Sequence, residues 1–217
     1  MPLELEALAE HVQQDFEARN AAREQALAQT RALIRFCARA IQAVHRGDEA
    51  LAQEMLGQAR DLAQSLRAAL APYPDLYYAG YTQDALKEYA EANIVYDLLH
   101  HGRLPDPQAL GVPYNTFVRG LAEAIGELRR HILNILRHGY SPEAETLLAY
   151  MDEIYGLLVT LDYPDAITGG LRRLTDIARS LLERTRGELT MSLRLQVVER
   201  ALQRWQPPQP RHQERTG

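Results

Sequence analysis

The chain has 217 residues, a net charge of −5, 46% apolar residues and 24% charged ones. A chain of this size hides roughly 70% of its unfolded surface on folding, so it needs no disulfide staple, and its composition excludes a disordered state. One cysteine, Cys37, excludes an intrachain disulfide and a cysteine-based zinc site, and the acidic balance excludes a simple duplex-coating protein.

From Leu3 to Arg46 there is no glycine and no proline. Leu5, Leu8, Val12 and Phe16 recur at helical spacing, as do Leu33, Cys37, Ile41 and Val44. The spacing predicts one very long helix, about 65 Å from end to end. Gly47 ends it and Asp48 caps a second helix over 48–71, which Pro72 and Pro74 break. A third helix is expected from Thr82 to His101, followed by a Pro- and Gly-rich loop over 102–113. The fourth, Asn115 to His138, carries Phe117, Leu121, Ala124, Leu128, Ile132 and Ile135 on one side. Ser141-Pro142 starts a fifth that ends near Leu161. A sixth is expected from Pro164 to Arg186, a break at Gly187, and a seventh from Glu188 to Trp205. Residues 206–217, rich in Pro, Gln and Arg, are expected to form a disordered tail. No segment alternates at period two, so residues 1–205 read as one all-α bundle. Its first helix is longer than such a globule is wide, so the end of that helix is expected to pack on another subunit. No apolar run approaches the roughly 18 residues of a membrane span, and Met1 to Glu10 is acidic and amphipathic, unlike a secretion signal; the expected compartment is the cytoplasm.

Phosphate-cradling glycine loops, HExxH and GxSxG are absent. Cys37 lies in an apolar stretch and reads as a buried, inert thiol; His100-His101 reads as a helix cap rather than a metal pair. The carboxylates carry more. Glu88 and Glu91, three apart, share a side with Asp84, Val95, Leu98 and Leu99, where an acid must be desolvated or neutralised. Glu123 and Glu127, four apart, share a polar face with Arg119, Arg130, His131 and Asn134. On a solvated face Arg119–Glu123 and Glu127–Arg130 would pair, each worth about 0.3–0.5 kcal/mol. If the two acid pairs meet across a helix interface, they form an oxygen-rich site for Mg²⁺ or Mn²⁺. Both readings stand on spacing alone. Arg31, Arg35 and Arg39, preceded by Arg19 and Arg23, place like charges at four-residue steps on the first helix, to be offset by acids of a neighbouring helix or by phosphates. The basic residues are arginine throughout except Lys87, which reflects either a GC-rich genome or a need for the planar guanidinium fork.

From about Asp15 to Leu189 the chain resembles the family of translin and translin-associated factor X. The first helix, from Glu17-Ala18-Arg19 through Arg31 and Arg39 to His45-Arg46, resembles the family's first helix in register. Lys87-Glu88-Tyr89-Ala90-Glu91-Ala92 resembles the QEYVEA string of factor X, and Gly120 to Arg130 resembles its GVADLTGELMR. The resemblance implies a seven-helix translin-like bundle and closed octamers that bind RNA and single-stranded DNA. For factor X it further implies a Mg²⁺-dependent endoribonuclease that cuts single-stranded RNA. The acids of factor X fall on Glu88, Glu91, Glu123 and Glu127, so the chain resembles the catalytic type, with Glu at 123 in place of Asp. Tyr77-Tyr78 is more similar to translin. A single chain forming a homo-octamer accommodates such a mixture.

The expectation is therefore a metal-dependent endoribonuclease in which Glu88, Glu91, Glu123 and Glu127 hold Mg²⁺ or Mn²⁺ and one of them acts as general base. Arg130 would hold the phosphate, Arg19, Arg31 and Arg39 would guide the strand, and exposed tyrosines would stack on bases. The competing expectation is a non-catalytic oligomer that binds single-stranded RNA or DNA. A third is a helical assembly without nucleic acid.

Overall fold

A computed structural model describes residues 5–205. Among these residues there is no strand, and six long helices alternate with three single helical turns. Helix α1 (Leu5–Arg46) ends at Gly47, whose φ of +72° suits glycine. The Asp48 carboxylate then accepts the Leu51 N–H at 3.1 Å and opens α2 (Glu49–Leu70). The turn α3 (Pro74–Tyr77) leads into α4 (Gly80–His101), and the turn α5 (Pro107–Leu110) into α6 (Tyr114–Leu136). Ser141 caps α7 (Pro142–Thr160) by accepting the Glu143 N–H at 3.2 Å. The turn α8 (Asp165–Thr168) precedes α9 (Leu171–Arg204).

The α4 and α6 helices form the centre. They lie against each other; α1 covers α4 together with α2, and α7 and α9 cover α6. Leu33, Cys37, Ile41 and Val44 of α1, Ile94 and Val95 of α4, Leu121, Leu128 and Ile132 of α6 and Leu182 of α9 all belong to one buried cluster. Each such aliphatic side chain contributes about 1.5–3 kcal/mol of burial. Gly120 sets the α4–α6 spacing: a Cβ there would meet the Lys87 carbonyl oxygen at 2.9 Å and the Glu91 nitrogen at 3.1 Å. A bidentate pair, Arg129 to Glu188 at 2.7 and 2.9 Å, clamps α6 to α9.

The C-terminal third departs from the sequence expectation. The segment from Pro164 does not run as one helix to Arg186. It makes one turn and stops at Gly169-Gly170, both left-handed with φ of +65° and +86°. Helix α9 then passes straight through Gly187, where a break was expected. A glycine inside a helix costs about 1 kcal/mol relative to alanine. Here it is flanked by full turns whose inner residues, Ala178, Leu182, Thr185 and Leu189, form one continuous buried stripe. That packing outweighs the local cost. The seven expected helices thus become six long ones, because the last two are one. The expected disordered tail, 206–217, lies outside the described residues.

Both ends of the bundle leave apolar residues in the open. Leu5, Leu8, Val12 and Phe16 of α1 are exposed, and so are Met191, Leu195, Val198 and Leu202 of α9. The α9 spacing of four, three and four places its residues on one stripe. Among the described residues no helix is long and apolar enough to cross a membrane.

Candidate metal centre and nucleic-acid interface

The α4–α6 contact builds the candidate site. Glu88 and Glu91 come from one wall and Glu123 from the other, three residues beyond the close approach at Gly120. One carboxylate oxygen from each of the three lies within 4.8 Å of the other two. Glu91 is only 8% exposed. Burial, and then the charges of Glu88, Glu123 and Glu127, push its carboxyl up to about 8. The α1 helix closes the back of the site with Cys37, whose thiol is driven far above its ordinary range by burial and by Glu88 and Glu91. That is the inert thiol the sequence suggested.

Lys87 reaches into the same cluster. Its Nζ lies 2.6 Å from Glu123 Oε2 and 3.3 Å from Glu88 Oε1. Burial opposes its charge, but the hydrogen bond and charge of Glu123 and the charge of Glu88 prevail and hold its pKa above the usual lysine value. Among the described residues Glu91 has no such cationic partner.

Glu127, the fourth acid, is held apart from the three. His45 Nε2 donates to its Oε2 at 2.5 Å, and Arg130 Nη1 lies 3.6 Å from the same oxygen. The His45 hydrogen bond, opposed by partial burial, keeps Glu127 below the ordinary carboxylate range. His45 is almost wholly buried, stacks on His131 at 5.8 Å, and leaves its Nδ1 buried without a partner. Burial, with the neighbouring His45, pushes His131 below its usual range; its Nε2 lies 3.7 Å from Glu143.

The polar-face pairing considered for α6 is half right. Glu127–Arg130 is present, whereas Arg119 turns to Asp84 at 2.8 Å and leaves Glu123 to Lys87. His100 Nδ1 donates to the Tyr96 carbonyl at 3.0 Å, which is the helix-end role expected of it.

The first-helix arginines divide. Arg19 is engaged with Asp75 at 2.9 Å and Asp15 at 4.0 Å. Arg31, Arg35 and Arg39 are exposed and make no ion pair among the described residues. Leu33, Cys37 and Ile41 are the buried side of α1, so Arg35 and Arg39 project from the side opposite the acidic cluster. Arg130, more than half exposed, is the guanidinium beside the acids.

Three participants escaped the sequence reading. Lys87 had a signal, being the one lysine and adjacent to Glu88. His45 had one too, since it continues the Cys37–Ile41 spacing on the buried side of α1. Gly120 had none, because only the α4–α6 contact reveals what a methyl group there would strike. A separate cavity of about 780 Å³ between α2, α4 and the 103–110 segment, lined by Arg60, Tyr89, Tyr96 and Arg103 among others, contains none of the four acids.

No protein-family model matches the chain. An uncharacterised protein of Methanocaldococcus jannaschii is 28% identical over 174 residues, 79% of this chain and 76% of that protein. Among solved structures, AfC3PO in complex with duplex RNA is 30% identical, with a TM-score of 0.81 over 87% of this chain and 98% of that one. AfC3PO by itself is 30% identical with a TM-score of 0.80 and the same coverage. The apo form of NeC3PO, at 21% identity and a TM-score of 0.76 over 88% of this chain, shares the fold. With 30% identity across 98% of the AfC3PO chain, and with the helical order described above, this chain belongs to the translin family of C3PO-type proteins.

Proposed function

We propose that the chain is a metal-dependent endoribonuclease of the catalytic, factor X-like type, working in a translin-like homo-oligomer. The observation that carries this reading is Glu91, a carboxyl more than nine-tenths buried, without a cationic partner among the described residues, and within 4.8 Å of two further acids. Burying an acid in this way is costly, and a divalent cation offsets the cost. The donor set fits Mg²⁺ or Mn²⁺: three hard carboxylates, with no thiolate or imidazole among them. Glu88, Glu91 and Glu123 would hold the ion. When bound, such a cation neutralises charge on the scissile phosphate and makes water easier to deprotonate.

The remaining chemistry belongs to the chain. Glu127 is the carboxylate kept ionised, with its Oε2 engaged by His45 and lying 3.6 Å from Arg130. It is the group to accept a proton from water. Arg130 offers its guanidinium to the phosphate beside it. Arg31 and Arg39, on the outer side of α1, serve the strand where it passes another subunit, and Arg19, already tied to Asp75, contributes less. RNA is the substrate this reading favours, since AfC3PO, of the same family, is known in complex with duplex RNA. Cleavage is assigned to single-stranded RNA, whose bases are free to stack; single-stranded DNA would bind in the same way. The exposed stripes on α1 and α9 supply apolar area for the expected octamer.

The test is cleavage of an end-labelled single-stranded RNA, and of its duplex, with Mg²⁺, Mn²⁺ or EDTA, by the natural chain and by Glu91→Gln. Metal-dependent cleavage that Glu91→Gln abolishes supports the reading; equal cleavage by both proteins defeats it. The second reading, an RNA-binding oligomer without catalysis, is favoured by a specific observation. Three of the four acids already have cationic partners in Lys87 and Arg130. Salt-sensitive RNA binding with no metal-dependent cleavage would establish it.

A further inference from the structure

Lys87 is a cation already resident among the acids. The chain carries no other lysine. Its ammonium contacts Glu123 at 2.6 Å and Glu88 at 3.3 Å, and the side chain is 12% exposed. Its backbone is pinned against α6, since the Lys87 carbonyl is the atom a Cβ at Gly120 would strike. The side chain therefore starts at the helix contact and ends in the cluster. Mg²⁺ bonds carboxylate oxygens at roughly 2.0–2.1 Å. Bound to the same carboxylates, it would sit within a few ångström of an ammonium left in place, and the two positive charges would repel strongly where water is scarce.

We propose that Lys87 and the divalent cation are alternative occupants of the acidic site, so that the metal binds by displacing the ammonium. This rests on the metal reading of the site given above. The consequence is regulatory. In the metal-free site the single charge of Lys87 is shared between Glu88 and Glu123 and relieves part of the repulsion among the three carboxylates. Metal occupancy then requires enough free cation to expel a competitor that is covalently attached. The four-carbon lysine stem has the rotamer freedom to swing outward, which a shorter cation would lack. Glu91, the carboxylate that Lys87 does not contact, is the ligand left for the incoming ion to engage first.

A chain with one lysine allows a direct test on the natural protein. With ¹⁵Nζ-labelled lysine, its side chain gives a single ammonium resonance, visible in the metal-free state because ion pairing slows its exchange with water. Mg²⁺ should abolish that resonance, or move it to the position of a free lysine, along the same curve as Mg²⁺ binding measured by calorimetry. In parallel, Lys87→Gln, which places glutamine as in the string this segment resembles, should bind Mg²⁺ at least tenfold more tightly. Lys87→Arg, which keeps a competing cation, should bind it about as weakly as the natural chain. Mg²⁺ binding that leaves the lysine resonance unchanged, or equal affinity in Lys87→Gln, overturns the exchange while sparing the metal site. Absence of Mg²⁺ and Mn²⁺ binding in both the natural chain and Lys87→Gln overturns the metal reading itself and this inference with it. Should Lys87→Gln fail to fold, the resonance of the natural chain decides alone.

Discussion

Helices α4 and α6 each bring two glutamates to one contact and treat them in opposite ways. On α4, Glu91 is buried without a cation, and its carboxyl is pushed up to about 8. On α6, Glu127 is half-buried beside His45 and is held below the ordinary carboxylate range. The residue type is the same and the sequence spacing nearly so. The difference comes from the third helix, α1, which places a buried imidazole against one acid and only Cys37 and aliphatic groups near the other. One acid thereby holds its proton and the other stays ionised. Paired groups whose environments drive their pKa values apart are the mark of divided roles in a site.

The largest expected effect follows from removing the charge of the buried member. Glu91→Gln keeps shape and volume but offers no carboxylate. Cleavage of RNA should fall by two orders of magnitude or more, and the rise in melting temperature that Mg²⁺ or Mn²⁺ gives the natural chain should largely vanish. RNA binding should persist or improve, because negative charge has left the site. An equal metal-induced rise in both proteins would show that the ion binds elsewhere.

The same pair gives opposite slopes of stability against pH in the metal-free protein. The Glu91 pKa rises from 4.5 in the unfolded chain to about 8 in the folded one, so the folded state holds its proton more tightly. Its contribution is most favourable below about pH 4.5, falls as the pH rises through the interval, and levels off above 8. At ~1.4 kcal/mol per pKa unit, the whole fall is at most several kcal/mol. The Glu127 pKa is lowered from 4.5, so its contribution is present above that pH and is lost as the pH falls through the lowered value. Denaturant unfolding in EDTA from pH 4 to pH 9 checks the Glu91 slope, and its extension below pH 4 checks that of Glu127. Glu91→Gln should gain stability relative to the natural chain as the pH rises from 5 to 8. A difference that is flat with pH would remove the contrast.

A smaller effect is expected from freeing Glu127. His45→Ala deletes its buried hydrogen-bond donor and leaves Arg130, at 3.6 Å, as its partner. Losing a group that orients a functional carboxylate typically lowers activity 10–100-fold. Because Glu127 would no longer be held ionised, the acid limb of the cleavage–pH profile should also move upward. Loss of activity with an unshifted acid limb would mean that His45 only packs.

How much of this was legible in the sequence depends on the range of the forces involved. The helices of the first two thirds follow from local spacing, caps and breakers; Asp48, Ser141 and Gly102 act where their residue types suggest. Gly187 misled because its cost is local, while the buried stripe that carries α9 through it is tertiary. The acids were recognisable as a group by spacing and by resemblance. Their inequality was not, since it depends on His45, which is 82 residues from Glu127. The place of Lys87 between Glu88 and Glu123 depends equally on the close approach at Gly120.

The smallest expected effect concerns Glu123, which lies between the two extremes. It is on α6, like Glu127, yet it joins the α4 acids and pairs with Lys87. Glu123→Asp restores the residue of the factor X string and withdraws the carboxylate by one methylene, somewhat more than an ångström. At Gly120 the helices already lie too close to admit a Cβ, which would meet the Lys87 carbonyl oxygen at 2.9 Å, so they have little room to close further. The loss therefore falls on the flexible partner. Lys87, with four methylenes, can follow the shorter acid, whereas a divalent ion that prefers fixed distances must be reached by Glu88 and Glu91 rearranging around it. Cleavage should be retained within about tenfold, with the change in metal affinity and the metal-free stability nearly untouched. A Mg²⁺ titration of cleavage beside a metal-free melting curve separates the two. If the substitution instead lowers metal-free stability and leaves the Mg²⁺ requirement unchanged, Glu123 serves the ion pair with Lys87 rather than the cation, and the site reduces to the two acids of α4.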